Sequence, residues 1–164
     1  MTTSSIRLRF VAAPGITTDL IQLRSGVCMP ICPSHVECVR PSDGKYVGAH
    51  VDGGFMARDP GYDKATPEQE CFIDLPCTQE QHDKFYAAVD AAIGESYDWK
   101  AILGFAMPGH FHTKFNAICS ARMFLFLRDT IDWFPSHVPV CVPAHCIDPR
   151  DLLLMISVVI VVPH

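Results

Sequence analysis

The sequence reads as one domain, residues 1–164, in which short strands come first and helices follow. Three observations carry that reading. The first is a hairpin. Two β-rich runs, at 33–40 and 45–51, flank Pro41-Ser42-Asp43-Gly44, a turn of proline, serine, aspartate and glycine. Pairing Arg40 with Lys45 across that loop sets His35 opposite His50, on one face of the sheet and with Cβ atoms roughly 5 Å apart. The second is a helix over 78–93. Thr78 followed three residues later by Gln81 is a capping pattern, Phe85, Val89, Ala92 and Ile93 form one apolar stripe, and Gly94 supplies the stop. The third is an apolar run over 117–128, opened by Asn116 as a candidate N-cap, which places Cys119 at the third helical position.

The remaining elements fall between these. Residues 6–11 alternate as a strand and stop at Pro14-Gly15. Residues 17–23 suit either a short helix or a strand, and 26–33, with Cys28, Pro30, Cys32 and Pro33, read as loop. After the hairpin, Asp52-Gly53-Gly54 marks a turn or bulge before a strand over 55–58. Residues 59–69 are polar and punctuated by Pro and Gly, hence a surface loop, and 71–75 form a strand closed by Pro76. Tyr97-Asp98-Trp99 leads into a short apolar helix over 101–107, which Pro108-Gly109 breaks. Near the C-terminus Asp148 as N-cap and Pro149 at the first helical position start a helix, and the apolar run 152–162 reads as a buried strand or helix-to-strand segment with a β-branched finish through Val161. No internal repeat or low-complexity segment interrupts the pattern.

Composition narrows the classes of function. Hydrophobic residues make up 49% and charged residues 19%, with a formal net charge of −5, a globular and mildly acidic balance. No basic stripe is present, which argues against a nucleic-acid partner. The longest apolar run, 152–162, is about half of what a bilayer span takes, and the first residues lack the continuous apolar stretch of a signal peptide. A cytoplasmic location without a membrane span is the expectation. Eight cysteines are many, but they are scattered through a chain of this size, so reduced thiols are expected. A zinc site built on Cys28, Cys32, Cys141 and Cys146 is weighed and set aside, because the spacings are loose and no Cys-x2-Cys knuckle exists. No cofactor and no metal is expected. His110 and His112 sit in a Pro/Gly loop without acidic partners.

One constellation carries chemistry. A cysteine in the first turn of a helix meets unpaired N–H groups and the positive end of the dipole, which favour the thiolate and can receive an oxyanion. A histidine serves as the base near neutral pH, and a third group fixes its ring. Cys119 is the candidate nucleophile, His35 the base and His50 the orienting group, with Glu37 and Asp52 as fallback orienters. The plain alternative is that a cysteine on an apolar helix is a small core residue. Cys38, Cys71 and Cys77 are assigned to that role, Cys38 because it lies on the face opposite His35.

Ser34-His35-Val36-Glu37, then Tyr46-Val47-Gly48-Ala49-His50 with Gly53-Gly54, and much later Ile118-Cys119-Ser120-Ala121, resemble the circularly permuted branch of the NlpC-type papain-like superfamily. That branch places the histidine strand before the cysteine helix, as here, and has the lecithin retinol acyltransferase-like proteins as distant relatives. The likeness spans roughly 17–130. It implies an α+β papain-like fold, a central antiparallel sheet with the cysteine helix packed against it. It also implies a cysteine amidase or peptidase working through a thioester, with Cys119 as nucleophile, His35 as base and His50 as third member of a Cys-His-His triad. Many bacterial members carry Glu at the third position, whereas the acyltransferase relatives carry His. Tyr97, from a Tyr-Asp pair that members often carry, is expected with Glu37 at the substrate pocket. The implied substrates are a peptide, a peptidoglycan-like stem or an acyl small molecule. The alternatives are a lipid acyltransferase or phospholipase of the same superfamily, and a non-catalytic peptide-binding module on this fold.

Overall fold

A computed structural model describes residues 3–12, 33–50, 52–63, 69–96, 119–134, 144 and 147–161. Five strands form one antiparallel sheet: β1 (Thr3–Ala12), β2 (His35–Val39), β3 (Tyr46–His50), β4 (Gly54–Arg58) and β5 (Gln69–Thr78). Their order is β4-β3-β2-β1-β5, so β2 is the middle strand. Helix α1 (Gln79–Ala92) follows β5 directly. Helix α2 (Cys119–Leu125) runs into a π-helical turn, Phe126–Thr130, and helix α3 (Pro149–Val161) closes the described chain. The molecule is therefore α+β.

Period-two alternation divides the sheet into two unlike faces. Ile6, Leu8 and Phe10 of β1, Val36 and Cys38 of β2, Val47 and Ala49 of β3, Phe55 and Leu75 all point into one apolar core. Phe85 and Val89 of α1, Met123 and Phe124 of α2, and Leu152 and Ile156 of α3 complete it. At about 25 cal/mol per Å² of apolar surface, each fully buried Phe or Leu contributes on the order of 2 kcal/mol, so this face fixes the register of every strand. The alternate positions Arg9, His35, Glu37, Gly48 and His50 are then forced onto the other face.

The predicted hairpin register holds. Cys38 pairs with Val47 and Val39 with Tyr46. Gly44, at φ +72°, supplies the left-handed residue the turn requires, and its N–H donates to the Arg40 carbonyl. The turn is further braced by Arg40, which binds Asp43 and reaches Asp90 of α1. The predicted capping box on α1 is also present, with Thr78 accepting from the Gln81 N–H and the Gln81 side chain accepting from the Thr78 N–H.

Several local expectations need correction. Ile93 is the C-cap of α1 and is exposed, so Tyr86 rather than Ile93 joins the buried stripe. Pro76 does not close β5, which continues through it to Thr78. The strand lies at the edge of the sheet, where a missing N–H is tolerated, and the Trp133 indole donates to the Pro76 carbonyl at 3.0 Å. The C-terminal β-branched run stays helical to Val161. Burial of Leu152, Leu153 and Ile156 against the core outweighs the small helix penalty of its Val and Ile residues. The expected elements at 17–23 and 101–107 lie outside the described residues.

Candidate active site

The site forms around Glu37, at the centre of the middle strand. Its side chain is fully buried, where a carboxylate survives only with partners. Arg9, opposite it on β1, donates from Nη1 to Oε2 at 2.9 Å. Tyr62, in the turn after β4, donates its hydroxyl to Oε1 at 2.9 Å. The same Oε1 lies 3.4 Å from His35 Nε2 and 3.2 Å from His50 Nε2. Arg9 is itself almost wholly buried, held also by Asp63 at 2.7 Å and Glu70 at 2.8 Å, with its guanidinium over the Tyr46 ring.

Room for the carboxylate comes from Gly48, directly across from Glu37 on β3. A Cβ there would stand 3.1 Å from Glu37 Cγ and 3.2 Å from the Val36 carbonyl oxygen. The His35 and His50 rings pack at 4.9 Å between centroids, tilted by 50°, as the predicted register requires. Tyr62 meets the His50 ring edge-on at 5.2 Å. At the start of β4, Gly54 adopts φ +77° and lets that strand approach the backbone of Glu95, just past α1, closely. There Phe55 N–H donates to the Glu95 carbonyl at 2.7 Å and Gly94 N–H to the Phe55 carbonyl at 2.8 Å. These bonds tie the histidine end of β3 to the helical layer.

Cys119 is buried at the first described residue of α2, which packs on β2 and β3. Burial on its own raises the thiol pKa, but His35 and the backbone N–H groups of Val36 and Ser120 outweigh it and hold Cys119 below the ordinary thiol value. For His35, burial lowers the pKa, and Cys119 and Glu37 overcome it, raising the imidazole to about 10. His50 is shifted down, chiefly by burial and further by His35, against the pull of Glu37. Glu37 stays far below the usual carboxylate range; the two histidines and their hydrogen-bonding capacity outweigh its burial. These shifts favour a thiolate–imidazolium pairing of Cys119 and His35 beside an ionised Glu37, and disfavour a charge on His50. Burial pushes the Cys38 and Cys71 thiols up instead, as expected of core cysteines.

Of the residues singled out from sequence, Cys119, His35 and His50 come together. Glu37, named both as a pocket residue and as a fallback orienter, joins them as a buried carboxylate 3.4 Å from His35 and 3.2 Å from His50. Asp52 does not reach the histidines; it pairs with Arg58 and is largely exposed. Tyr97, Asn116, His110, His112 and the four cysteines at 28, 32, 141 and 146 lie outside the described residues. Sequence reasoning missed Arg9, Tyr62 and Asp63. Arg9 had a signal, since it interrupts an apolar strand at the parity opposite the core; Tyr62, in a Pro-Gly turn, had none. Tyr62 also borders an open cleft lined by Lys45, Met56, Arg58 and Pro60.

No family model matches the sequence, and a search of curated proteins finds no match. Among solved structures, the fold is similar to that of metalloprotein yiiX from Escherichia coli O157:H7, a DUF1105 protein, at a TM-score of 0.56 and 14% identity. The match covers 78% of this chain and 66% of that one, so the present chain spans just under two thirds of its neighbour's length. At that identity the likeness concerns the fold.

Proposed function

We propose that the protein is a cysteine hydrolase of the permuted NlpC-type, papain-like class, acting on an amide or ester carbonyl through a thioester acyl-enzyme. The observation that carries this reading is the placement of buried Cys119, opening a helix packed on β2, with His35 of that strand, a pairing that shifts the thiol down and the partly buried imidazole up. Burial alone drives both groups the other way, so the pairing is specific to these two side chains. In the proposed reaction the Cys119 thiolate attacks the carbonyl carbon, and backbone N–H groups at the start of α2 receive the oxyanion. His35 gives its proton to the leaving amine or alcohol, then takes one from the water that hydrolyses the thioester. His50, as the third member of the triad, and Glu37 keep the His35 ring in place. A peptide or peptidoglycan-like stem is the substrate class the resemblance favours.

A second reading, a lipid acyltransferase or phospholipase on the same fold, draws on α3. Leu154, Val158 and Ile160 are exposed along it, an apolar edge on an otherwise buried helix. Among the described residues no helix is long and apolar enough to cross a membrane. A peptide-binding module without catalysis is the remaining alternative.

The deciding experiment is alkylation by iodoacetamide as a function of pH, with each cysteine followed by mass spectrometry. Cys119 is expected to react well below the free-thiol pKa of about 8.5, ahead of the more accessible Cys71, and His35→Ala should remove that lead. Equal rates for Cys119 and Cys71 across the range would overturn the hydrolase reading and favour the binding module.

A further inference from the structure

His35, Glu37 and His50 form a donor set independent of the cysteine. One ligand atom from each lies within 4.8 Å of the others. The Nε2 atoms of His35 and His50 are both buried without a hydrogen-bond partner, although each faces Glu37 Oε1. An unpaired buried nitrogen costs roughly 1–3 kcal/mol, and two aimed at one carboxylate oxygen ask for a shared occupant. The two nitrogen–oxygen spacings fit a metal ion. Ligands at about 2.0–2.1 Å in a tetrahedron are separated by roughly 3.3–3.4 Å along each edge, and the two nitrogen–oxygen separations are 3.4 and 3.2 Å.

The surroundings support the same assignment. Two imidazoles and one carboxylate are the donors of open three-ligand sites for zinc and iron-class dications. Glu37 is oriented by Arg9 on one oxygen and Tyr62 on the other, the outer contacts that fix a ligating carboxylate. Around the single buried guanidinium of Arg9 stand three carboxylates, Glu37, Asp63 and Glu70, so with both imidazoles neutral, as ligation requires, two negative charges remain for a divalent ion to balance. Three ligands leave one position of a tetrahedron unfilled, and His35 is the most exposed side chain of the three.

We propose that His35, Glu37 and His50 bind a divalent transition-metal ion of the zinc class, with the fourth position open to water or a ligand. The inference rests on these three side chains and does not require the cysteine chemistry. The test is titration of the reduced, full-length protein with Co(II), read by its electronic spectrum and by calorimetry. One cobalt per chain is expected, with weak visible bands and no intense sulfur-to-cobalt charge transfer. His35→Asn and His50→Gln, each checked for folding by circular dichroism, should weaken binding at least about tenfold. Cys119→Ser removes the group that holds the His35 proton and should not weaken binding. A spectrum dominated by sulfur charge transfer, affinity unaltered in both folded histidine variants, or no binding by the wild type would each overturn the assignment. None of those results bears on the alkylation lead of Cys119, so the two readings fail separately.

Discussion

Replacing Glu37 by Gln keeps the size of the side chain and removes its charge, so the change isolates the ionic centre from packing. Breaking a buried pair by deleting one partner costs about 3–5 kcal/mol where the survivor is left alone. Arg9 is not left alone, since Asp63 and Glu70 still hold it at 2.7 and 2.8 Å. What is lost is the charge assistance in the bonds from Arg9 and Tyr62, about 1 kcal/mol each from the difference between charged and neutral hydrogen bonds. An amide NH2 must also face either Arg9 or the Tyr62 hydroxyl, adding a mismatched contact. The sum is a loss of about 2–3 kcal/mol, or roughly 5–10 °C in melting temperature for a chain of this size. Thermal and urea denaturation at neutral pH read it directly, with the urea slope unchanged if only stability has moved. A variant melting within about 1 °C of the wild type would refute the placement of Glu37 as the charged centre of the sheet.

Other consequences follow from the same geometry. Gly48→Ala puts a Cβ against Glu37 Cγ and the Val36 carbonyl, both close to 3 Å away, so β3 must shift. A loss of about 1–3 kcal/mol is expected in chemical denaturation, together with a slower alkylation of Cys119 as the His35 strand is displaced. Stability should also depend on alkaline pH. His35 holds its proton more tightly folded, at about 10, than unfolded, at about 6.5, so its contribution is complete below about pH 6.5 and lost as pH rises through about 10. Cys119 runs the other way, contributing above its unfolded value of about 8.5 and losing that contribution as pH falls through its lowered folded value. The two offset each other between these limits, giving a plateau that ends in an alkaline fall. Cys119→Ala removes one limb, so the fall should begin at lower pH in a series of thermal melts. An identical alkaline limb in both proteins would rule out the ion pair.

What was readable in the sequence was what local rules control. The turn chemistry of residues 41–44 and the parity of the flanking strands set His35 against His50, and the Thr78–Gln81 capping pair set the start of α1. Glu37 was visible as a residue on the histidine face, yet its role was not. Its partners Arg9 and Tyr62 stand 28 and 25 positions away in sequence, and only the sheet order brings them together. The glycine opposite it was the trace that strand pairing leaves in sequence, since a buried side chain of that length needs an empty position across the ladder. The errors at Pro76 and at the end of α3 have a common cause. In both places a local preference met a position in the tertiary structure, an edge strand in one case and a buried helix face in the other, that made it affordable.

The placement of Pro76 has a further consequence for how this chain behaves in company. β5 is ten residues long and lies at the rim of the sheet with Phe72 exposed, the kind of border onto which a second chain can add itself strand to strand. Near the end of that border one residue offers no N–H at all, and its carbonyl is already taken by the Trp133 indole. The charged Arg7–Asp74 pair sits beside it. An incoming strand would find the ladder interrupted there and would have to bury a charge pair to continue, so this border, the longer of the two sheet edges among the described residues, is also the one guarded against templated aggregation.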